Sequence, residues 1–519
     1  MRDSWMAWAA AAAVSVAGVG AARAQDAAPD APAPARVAPK PKAERFKPPV
    51  AVTRQDLAVA YLELERALAS HPPKGDAIAA VNREFDGLTM LFFSGDLGGA
   101  VQRVHELTWK VLGVTPTDGE RINKCLKVTF SPQVLLRGTQ DRLAARVTAM
   151  YPPVPGDEHW SVMMQLRLDA PGGGPTLARV LGTWRTPKPP SVRVDQTLEF
   201  RVLFPRDGVA EGPASVTIND CRYRPLTLVD RSLDARRSEF LARLDDTAKA
   251  TPAGLGDAIA AVRSRIELLT DTPSASNSAQ FLSDPIALCG QIELELAVLA
   301  KGDNPFRDRR GDYWRTFTGE NEMRINARVY VPARKDFGAK WPVVFALHGA
   351  GGDEAMFMEG YGAGKITALA LEKGFVVVSP RTETFGASAK NVALVLDELA
   401  ACYPIDRSRV YVLGHSMGAM SAANLAASDT DVLAAVCCIA GGPMRAVNGK
   451  MAPTLVYGGE LDPIIPAKRL EATVAKLKDA GQPVEYRLAP GWGHTLIVGD
   501  RLEAAIEWLL THARTEPKP

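Results

Sequence analysis

The sequence has little of what several common functions require. Its 519 residues include only six cysteines and seven histidines, and no Cys-x-x-Cys pair or histidine cluster is present that would predict a metal site. The formal net charge is +2, and the chain lacks the basic stripe that is typical of nucleic-acid-binding proteins. After the N-terminus, no apolar run approaches the roughly 20 residues that span a bilayer. Nucleic-acid binding and a membrane span are therefore not expected.

The N-terminus has the pattern of an export signal. Arg2 supplies a positive charge, Ala7 to Val19 form a short run of small and apolar residues, and Ala22 to Ala24 match an A-x-A cleavage site. This order of features predicts a secretory signal peptide over residues 1–24. We therefore expect the protein to be secreted or periplasmic.

Composition and hydrophobic spacing change along the chain and predict its domains. Leu57, Tyr61 and Leu64 recur at helical spacing, whereas short apolar runs between Pro- and Gly-rich turns predict a β-sandwich farther on. Cys125 and Cys221 bracket this strand-rich part, and because disulfides persist after export, we expect a bridge between them. The predicted order is a disordered Pro/Ala-rich tether (25–50), a helical segment (51–118), a β-sandwich-like domain (119–230), a second helical segment (231–300) and an α/β domain (301–519).

In the predicted α/β domain, continuous apolar strands alternate with helical patterns. Such strands indicate a doubly wound, mostly parallel sheet that helices cover on both faces. Reactive groups in these sheets lie at the carboxyl ends of the strands. The expected strands are 343–347, 375–379, 410–413, 433–440, 454–457 and 484–488.

The motif Gly414-His415-Ser416-Met417-Gly418 directly follows one of these strands. It fits G-x-S-x-G, and the run that follows it is compatible with a helix. Strand, tight turn and helix are the context that a nucleophile elbow requires, with small residues flanking the serine because the backbone packs closely there. Ser416 is therefore the predicted nucleophile.

A serine hydroxyl needs a base that takes its proton, and the base needs an acid that holds its tautomer. His494 and His512 follow the serine in the chain, and His494 lies in a Gly-Trp-Gly-His loop after a strand, whereas His512 lies past the last helix. Asp462 follows the strand 454–457, and Glu460 of the same loop is its competitor. We predict His494 as the base and Asp462 as the acid.

Negative charge that develops on a substrate oxygen needs preorganised N–H donors. The glycine-rich stretch His348 to Gly352 follows the apolar strand 343–347. A glycine-rich oxyanion loop occurs at this place in sheets that carry a nucleophile elbow. We expect the backbone N–H groups of Met417 and Ala350 to be the donors, with Gly351 as the substitute for Ala350. His348 is expected to brace the loop.

Together these motifs carry a resemblance to a known family. With LHGAGG (347–352), GHSMGAM (414–420), GGELDPIIP (458–466) and GWGH (491–494), residues 303–512 resemble the α/β-hydrolase superfamily. They are particularly similar to exported esterases of the polyhydroxybutyrate depolymerase, feruloyl esterase and carboxylesterase type, and also to the catalytic domains of prolyl-oligopeptidase-like enzymes. Nothing comparable is recognisable in residues 51–300.

The resemblance implies two-step acyl transfer without a metal or an organic cofactor, on a small or polymeric ester. Trp492, Arg381 and His415 are expected to contact the substrate. Two other functions stay open: a serine peptidase of the prolyl-oligopeptidase type, and an inactive hydrolase-like protein that binds a glycan. The sequence leads to no expectation about the oligomeric state.

Overall fold

A computed structural model of the chain describes most residues between 48 and 514. The described residues are 48, 50–138, 142–152, 161–173, 176–185, 195–201, 209–218, 221–250, 254–272, 284–333, 338–428, 431–443 and 449–514. The predicted signal peptide and nearly all of the predicted tether lie outside the described residues.

Four helices form the first described part of the chain. They are α1 (Arg54–Ser70), α2 (Asp76–Phe93), α3 (Leu97–Leu112) and α4 (Asp118–Cys125). A capping box of Thr53 and Asp56 begins α1 and provides partners for backbone N–H groups that have none within the helix. The apolar sides of the helices share one core, to which Leu64, Phe85 and Val104 belong.

Eight strands follow and form two sheets. They are β1 (Leu126–Ser131), β2 (Val134–Leu136), β3 (Arg142–Ala149), β4 (Ser161–Asp169), β5 (Thr176–Arg185), β6 (Asp195–Arg201), β7 (Gly212–Ile218) and β8 (Cys221–Val229). A three-stranded antiparallel sheet has the order β1-β3-β6, and a five-stranded sheet has the order β2-β8-β7-β4-β5, in which β2 runs parallel to β8.

The prediction of a disulfide between Cys125 and Cys221 is wrong. Cys125 is a free, buried thiol at the end of α4, and burial raises the pKa of this thiol far above its usual value. The two cysteines lie at either end of the strand-rich part of the sequence, but they adjoin different sheets. Cys125 directly precedes β1 of the three-stranded sheet, whereas Cys221 begins β8 of the five-stranded sheet.

Among the described residues, three further helices connect the strand-rich part to the C-terminal sheet. They are α5 (Leu233–Ala250), α6 (Gly256–Ile266) and α7 (Pro285–Leu299). Asp284 caps α7, and Pro285 begins it, where a missing N–H is harmless. Val262 of α6 and Ile292 of α7 lie in the same core as Val343 of the C-terminal sheet, so one hydrophobic core continues from that sheet into these helices.

The C-terminal sheet has eight strands and confirms the predicted α/β arrangement. They are β9 (Gly311–Thr318), β10 (Arg324–Val331), β11 (Trp341–Leu347), β12 (Val376–Pro380), β13 (Ile405–His415), β14 (Ala435–Ile439), β15 (Thr454–Gly459) and β16 (Val484–Ala489). The strand order is β16-β15-β14-β13-β11-β12-β10-β9. β10 pairs antiparallel with β9 and β12, and the other neighbours are parallel.

Helices cover both faces of this sheet. They are α8 (Lys365–Lys373), the short α9 (Thr382–Phe385), α10 (Ala389–Ala400), α11 (Met417–Ser428), α12 (Ala467–Asp479) and α13 (Ile497–Leu510). Side chains of β11 alternate between two cores: Val343 lies with residues of α10, α11 and α12, and Val344 with residues of α8 and α13. The strands are therefore buried on both sides, which is why they appear as continuous apolar runs.

Sequence reasoning missed β9 and β10, the antiparallel end of the sheet. Each strand contains a buried arginine that interrupts the apolar pattern: Arg315 is 2% exposed and Arg328 is 8% exposed. Arg315 pairs with Glu398 of α10, and Arg328 pairs with Asp312 and Glu359. A buried charge is tolerated when it is paired, and that pairing is not visible in a local window of sequence.

Candidate active site

Ser416 lies on a tight turn between β13 and α11. Its φ is +53°, a left-handed conformation that residues with a side chain rarely adopt and that persists mainly at functional sites. A Cβ on Gly414 would lie 2.2 Å from the carbonyl oxygen of Gly418, and one on Gly418 would lie 2.0 Å from that of Leu347. The turn can therefore form only with glycine on both sides of the serine.

Three side chains that are distant in the sequence meet at this turn. Nε2 of His494 lies 2.9 Å from Oγ of Ser416, and Nδ1 of His494 lies 2.8 Å from Oδ2 of Asp462. Because a carboxylate oxygen accepts, Nδ1 carries the proton and Nε2 can accept from the serine hydroxyl. The side chains of His494 and Asp462 are only 6% and 0% exposed.

Backbone donors hold Asp462 in place, while its competitor is turned elsewhere. Oδ1 of Asp462 accepts from the N–H groups of Ile464 at 2.8 Å and Ile465 at 2.9 Å. Glu460 is exposed, and its Oε2 accepts from the N–H of Gly491 at 2.8 Å. Of the two carboxylates in this loop, Asp462 is the one that contacts the imidazole.

The second histidine that follows the serine lies apart from this constellation. His512 follows α13, and the centroid of its ring lies 4.3 Å from that of Trp508, one turn earlier, with the two rings tilted by 46°. Its Nδ1 lies 2.9 Å from the carbonyl oxygen of Trp508. The structure thus brings His494, and not His512, to the serine.

The predicted oxyanion loop lies directly against the nucleophile turn. A Cβ on Gly349 would lie 3.2 Å from Cβ of Ser416, and Gly351 has a φ of +83°. Met417 is the first residue of α11, where an N–H has no acceptor within the helix. The loop that contains Ala350 and the start of α11 are therefore adjacent to the serine; their role as oxyanion donors stays a prediction.

His348 connects this loop to α9. Its Nε2 accepts from the N–H of Thr382 at 3.0 Å, so its Nδ1 carries the proton and donates to the carbonyl of Gly349 at 2.8 Å. The hydroxyl of Thr382 donates to the carbonyl of His348 at 3.1 Å. The fully buried ring thus links the loop to α9 by hydrogen bonds, and the bracing role that we expected for it stays a prediction.

His415, which we expected to contact substrate, is instead buried in a chain of hydrogen bonds. Its Nε2 donates to the carbonyl of His494 at 2.9 Å, and its Nδ1 accepts from the hydroxyl of Tyr361 at 2.7 Å. The same tyrosine oxygen accepts from the N–H of Gly349 at 3.4 Å. Burial lowers the pKa of His415 to about 3, so the ring is neutral and joins the loop that contains Gly349 to the backbone of His494.

The other two expected substrate contacts lie on loops around the site. Trp492 is partly buried and packs against the cores of both the C-terminal sheet and the N-terminal helices. Arg381 is partly exposed just after β12, with its backbone N–H donating to the carbonyl of Asn326 at 2.8 Å. Their contact with a substrate stays a prediction.

Two polar residues of α2 that were not predicted from the sequence contact the loop of His494. Oδ1 of Asn82 accepts from the N–H of Gly493 at 2.9 Å, and Oδ1 of Asp86 accepts from the N–H of His494 at 3.0 Å. Both side chains lie on the same buried side of α2 as Phe85. Their spacing is visible in the sequence: two polar residues lie one turn apart on the apolar side of a helix. Such a pattern indicates that they have a polar partner in the folded protein.

A third such residue, Glu65 of α1, is almost fully buried. Its Oε2 accepts from the N–H of Gly362 at 3.1 Å, and its Oε1 accepts from the hydroxyl of Tyr61. Burial raises the pKa of Glu65 to about 7, although both hydrogen bonds oppose the shift. Gly362 follows Tyr361, so α1 holds the segment that supports His415.

The raised pKa leads to a prediction for Glu65→Gln. From pH 4.5 to 7 the unfolded chain releases this proton and the folded chain keeps it, so the free energy of unfolding falls by roughly 3 kcal/mol as pH rises. Glutamine keeps an acceptor for Gly362 and offers a donor to Tyr61 without the charge. We therefore expect the unfolding temperature of Glu65→Gln to fall less between pH 5 and pH 8 than that of the wild type, measured by circular dichroism.

Glu63→Gln is the matched control on α1, because Glu63 is partly exposed and paired with Lys124. Its unfolding temperature should follow that of the wild type at both pH values. Parallel losses in the wild type and Glu65→Gln would contradict the prediction.

The C-terminal part of the chain matches a known protein family. Residues 343–451, from β11 to just beyond β14, match the alpha/beta hydrolase family. This match, the order of the eight strands and the nucleophile turn define an α/β-hydrolase segment.

Individual relatives agree with this class. The chain is similar to feruloyl esterase B of Neurospora crassa, with 29% identity over 133 residues, which cover 22% of this chain and 44% of that protein. It is also similar to poly(3-hydroxyalkanoate) depolymerase C of Paucimonas lemoignei, with 31% identity over 145 residues, or 24% and 34% of the two chains. The chain thus spans less than half the length of these curated relatives.

The chain is also similar to parts of solved structures. A thermostable esterase matches with 24% identity and a TM-score of 0.33 over 39% of this chain and 63% of its own. The feruloyl esterase module from Clostridium thermocellum, complexed with sinapinate, matches with 15% identity and a TM-score of 0.34 over 41% of this chain and 92% of its own.

The described residues include neither a candidate membrane span nor a candidate metal cluster. Among the helices of that part of the chain, none combines the length and apolarity needed to cross a membrane. Within the same residues, no three or more His, Cys, Asp or Glu side chains are grouped so as to hold a metal ion.

Proposed function

We propose that the chain is an exported serine hydrolase that cleaves a carboxylic ester through an acyl-enzyme. The observation that carries the proposal is the series of hydrogen bonds from Ser416 to His494 to Asp462, at 2.9 and 2.8 Å, on a strained turn. Similarity to two feruloyl esterases and a polyhydroxyalkanoate depolymerase supports an ester as the substrate. The signal-like N-terminus supports export.

In the first half of the reaction, Oγ of Ser416 attacks the ester carbonyl carbon while Nε2 of His494 takes the hydroxyl proton. Asp462 stabilises the imidazolium that forms, through the bond to Nδ1. The N–H groups of Met417 and Ala350 donate hydrogen bonds to the carbonyl oxygen as it becomes negatively charged. Collapse of the tetrahedral intermediate releases the alcohol, which receives the proton from His494.

In the second half, water replaces the alcohol. His494 takes a proton from the water, whose oxygen attacks the acyl carbon, and the same N–H donors stabilise the second oxyanion. Collapse returns the proton to Oγ of Ser416 and releases the carboxylic acid. The nucleophile, the base, the acid and the oxyanion donors of this mechanism are all residues of this chain.

A substrate panel tests the proposal. We expect the purified protein to hydrolyse p-nitrophenyl acetate and butyrate with a kcat/KM on the order of 10⁴ M⁻¹ s⁻¹ or more, and to react covalently with a fluorophosphonate probe. Aminoacyl p-nitroanilides should be much poorer substrates. Faster cleavage of the anilides would favour the peptidase. If the protein shows no hydrolysis and no labelling, the inactive glycan-binding protein is favoured.

A further inference from the structure

The loop that carries His494 is held by a helix from the N-terminal part of the chain. Asp86 of α2 accepts the backbone N–H of His494 with both carboxylate oxygens, at 3.0 and 3.3 Å. One turn earlier, Asn82 accepts the N–H of Gly493 at 2.9 Å. The two residues thus bind two consecutive N–H groups of the loop.

The contact is close enough to restrict which residues the loop can contain. A Cβ on Gly493 would lie 1.9 Å from Oδ2 of Asp86, and one on Gly491 would lie 3.5 Å from a methyl group of Ile78. Any side chain at position 493 would therefore collide with the carboxylate. Gly493 therefore allows α2 to approach the main chain beside His494.

The two α2 side chains are themselves fixed. Nδ2 of Asn82 donates to the carbonyl of Ile78 at 2.9 Å, which leaves its Oδ1 directed at the loop. Asn82 and Asp86 are only 1% and 5% exposed, so water cannot readily replace either side chain as the acceptor. Burial raises the pKa of Asp86 to about 6, and the N–H of His494 opposes the rise.

The main chain of His494 is held from its other side as well. Its carbonyl accepts from Nε2 of His415, the residue before the nucleophile. Asp86 and His415 therefore hold the N–H and the carbonyl of the same residue. The side chain of that residue reaches Ser416 at 2.9 Å, and misplacement by about 1 Å can lower a rate by about 100-fold.

From these contacts, and resting on the proposed function, we propose that Asn82 and Asp86 are positioning residues that hold the loop of His494 in register with Ser416. Helix α2 is then part of the active site, although it lies far from the hydrolase segment in the sequence. The two residues do not touch the reacting atoms. They act on the transition state through the imidazole, so they affect kcat and not the binding of substrate.

Full-length variants test this role. We expect Asp86→Ala to lower kcat by about 10- to 100-fold, with KM little changed and the rate of fluorophosphonate labelling reduced in parallel. Asp86→Asn should recover most of kcat, because the amide oxygen can still accept from His494. Asn82→Ala should lower kcat by about 3- to 10-fold, as expected for one lost hydrogen bond.

Asp76→Ala, on the exposed first turn of the same helix, is the matched control and should have wild-type kcat and KM. Wild-type kcat in folded Asp86→Ala and Asn82→Ala would overturn the inference. If Asp86→Ala does not fold, Asn82→Ala decides: a reduced kcat supports the role and an unchanged kcat rejects it. An unreactive wild-type protein would contradict the proposed function itself, a different result from an active wild type with unaffected variants.

Discussion

Replacement of Ser416 by alanine is expected to lower kcat/KM for p-nitrophenyl butyrate by about a million-fold, as removal of a nucleophile does in other serine hydrolases. Alanine has no oxygen to attack the carbonyl, so no acyl-enzyme forms and fluorophosphonate labelling disappears. What activity persists should come from the oxyanion donors and from binding alone. Labelling followed by intact-mass spectrometry, together with initial rates, measures both effects.

The backbone of the turn supplies a control for this experiment. Because Ser416 has a φ of +53°, alanine at this position keeps the strain of the left-handed conformation, whereas glycine removes it. Ser416→Gly should therefore be at least as stable as Ser416→Ala and equally inactive. Hydrolysis or labelling at the wild-type rate in either variant would show that another residue is the nucleophile.

The second large effect is expected for Asp462→Asn, with kcat lower by about 10⁴-fold. The N–H groups of Ile464 and Ile465 require an acceptor, so the asparagine oxygen faces them and its NH₂ group faces Nδ1 of His494. Nδ1 must then accept, and the imidazole proton moves to Nε2. In that tautomer Nε2 cannot take the proton of Ser416.

Glu460→Gln is the matched control because it makes the same chemical change in the same loop. Glu460 is exposed, and the amide oxygen of glutamine can keep the bond to the N–H of Gly491. We expect kcat to stay within about twofold of wild type, as for a surface substitution. Comparable losses in both variants, in steady-state assays, would contradict the assignment of Asp462.

The N-terminal helices contact segments of the C-terminal part of the chain that lie beside the site. Leu496, two residues after the base, lies in the core that α1, α2 and α3 form, and Glu65 of α1 holds the segment after Tyr361. If Asn82 and Asp86 position the base as proposed, the hydrolase segment depends on these helices for activity. Their contribution would be geometrical rather than chemical.

How far the sequence predicts the structure differs between parts of the chain. The parallel strands β11 to β16 were predictable because burial on both faces makes each of them a continuous apolar run. β9 and β10 were not, because Arg315 and Arg328 interrupt the pattern and their acidic partners are distant in the sequence. The prediction of a disulfide between Cys125 and Cys221 was wrong, because the position of a strand along the chain does not show which sheet it joins.

For the site itself, local sequence determined the chemical groups: a serine between close-packed glycines, a histidine in a glycine loop and an aspartate after a strand. Each depends on turn geometry within a few residues, which a short motif can encode. Only the tertiary structure decided what holds these groups in register. Asp86 and His494 are 408 positions apart, and a hydrogen bond between them exists only because the packing of α2 brings a carboxylate to that backbone.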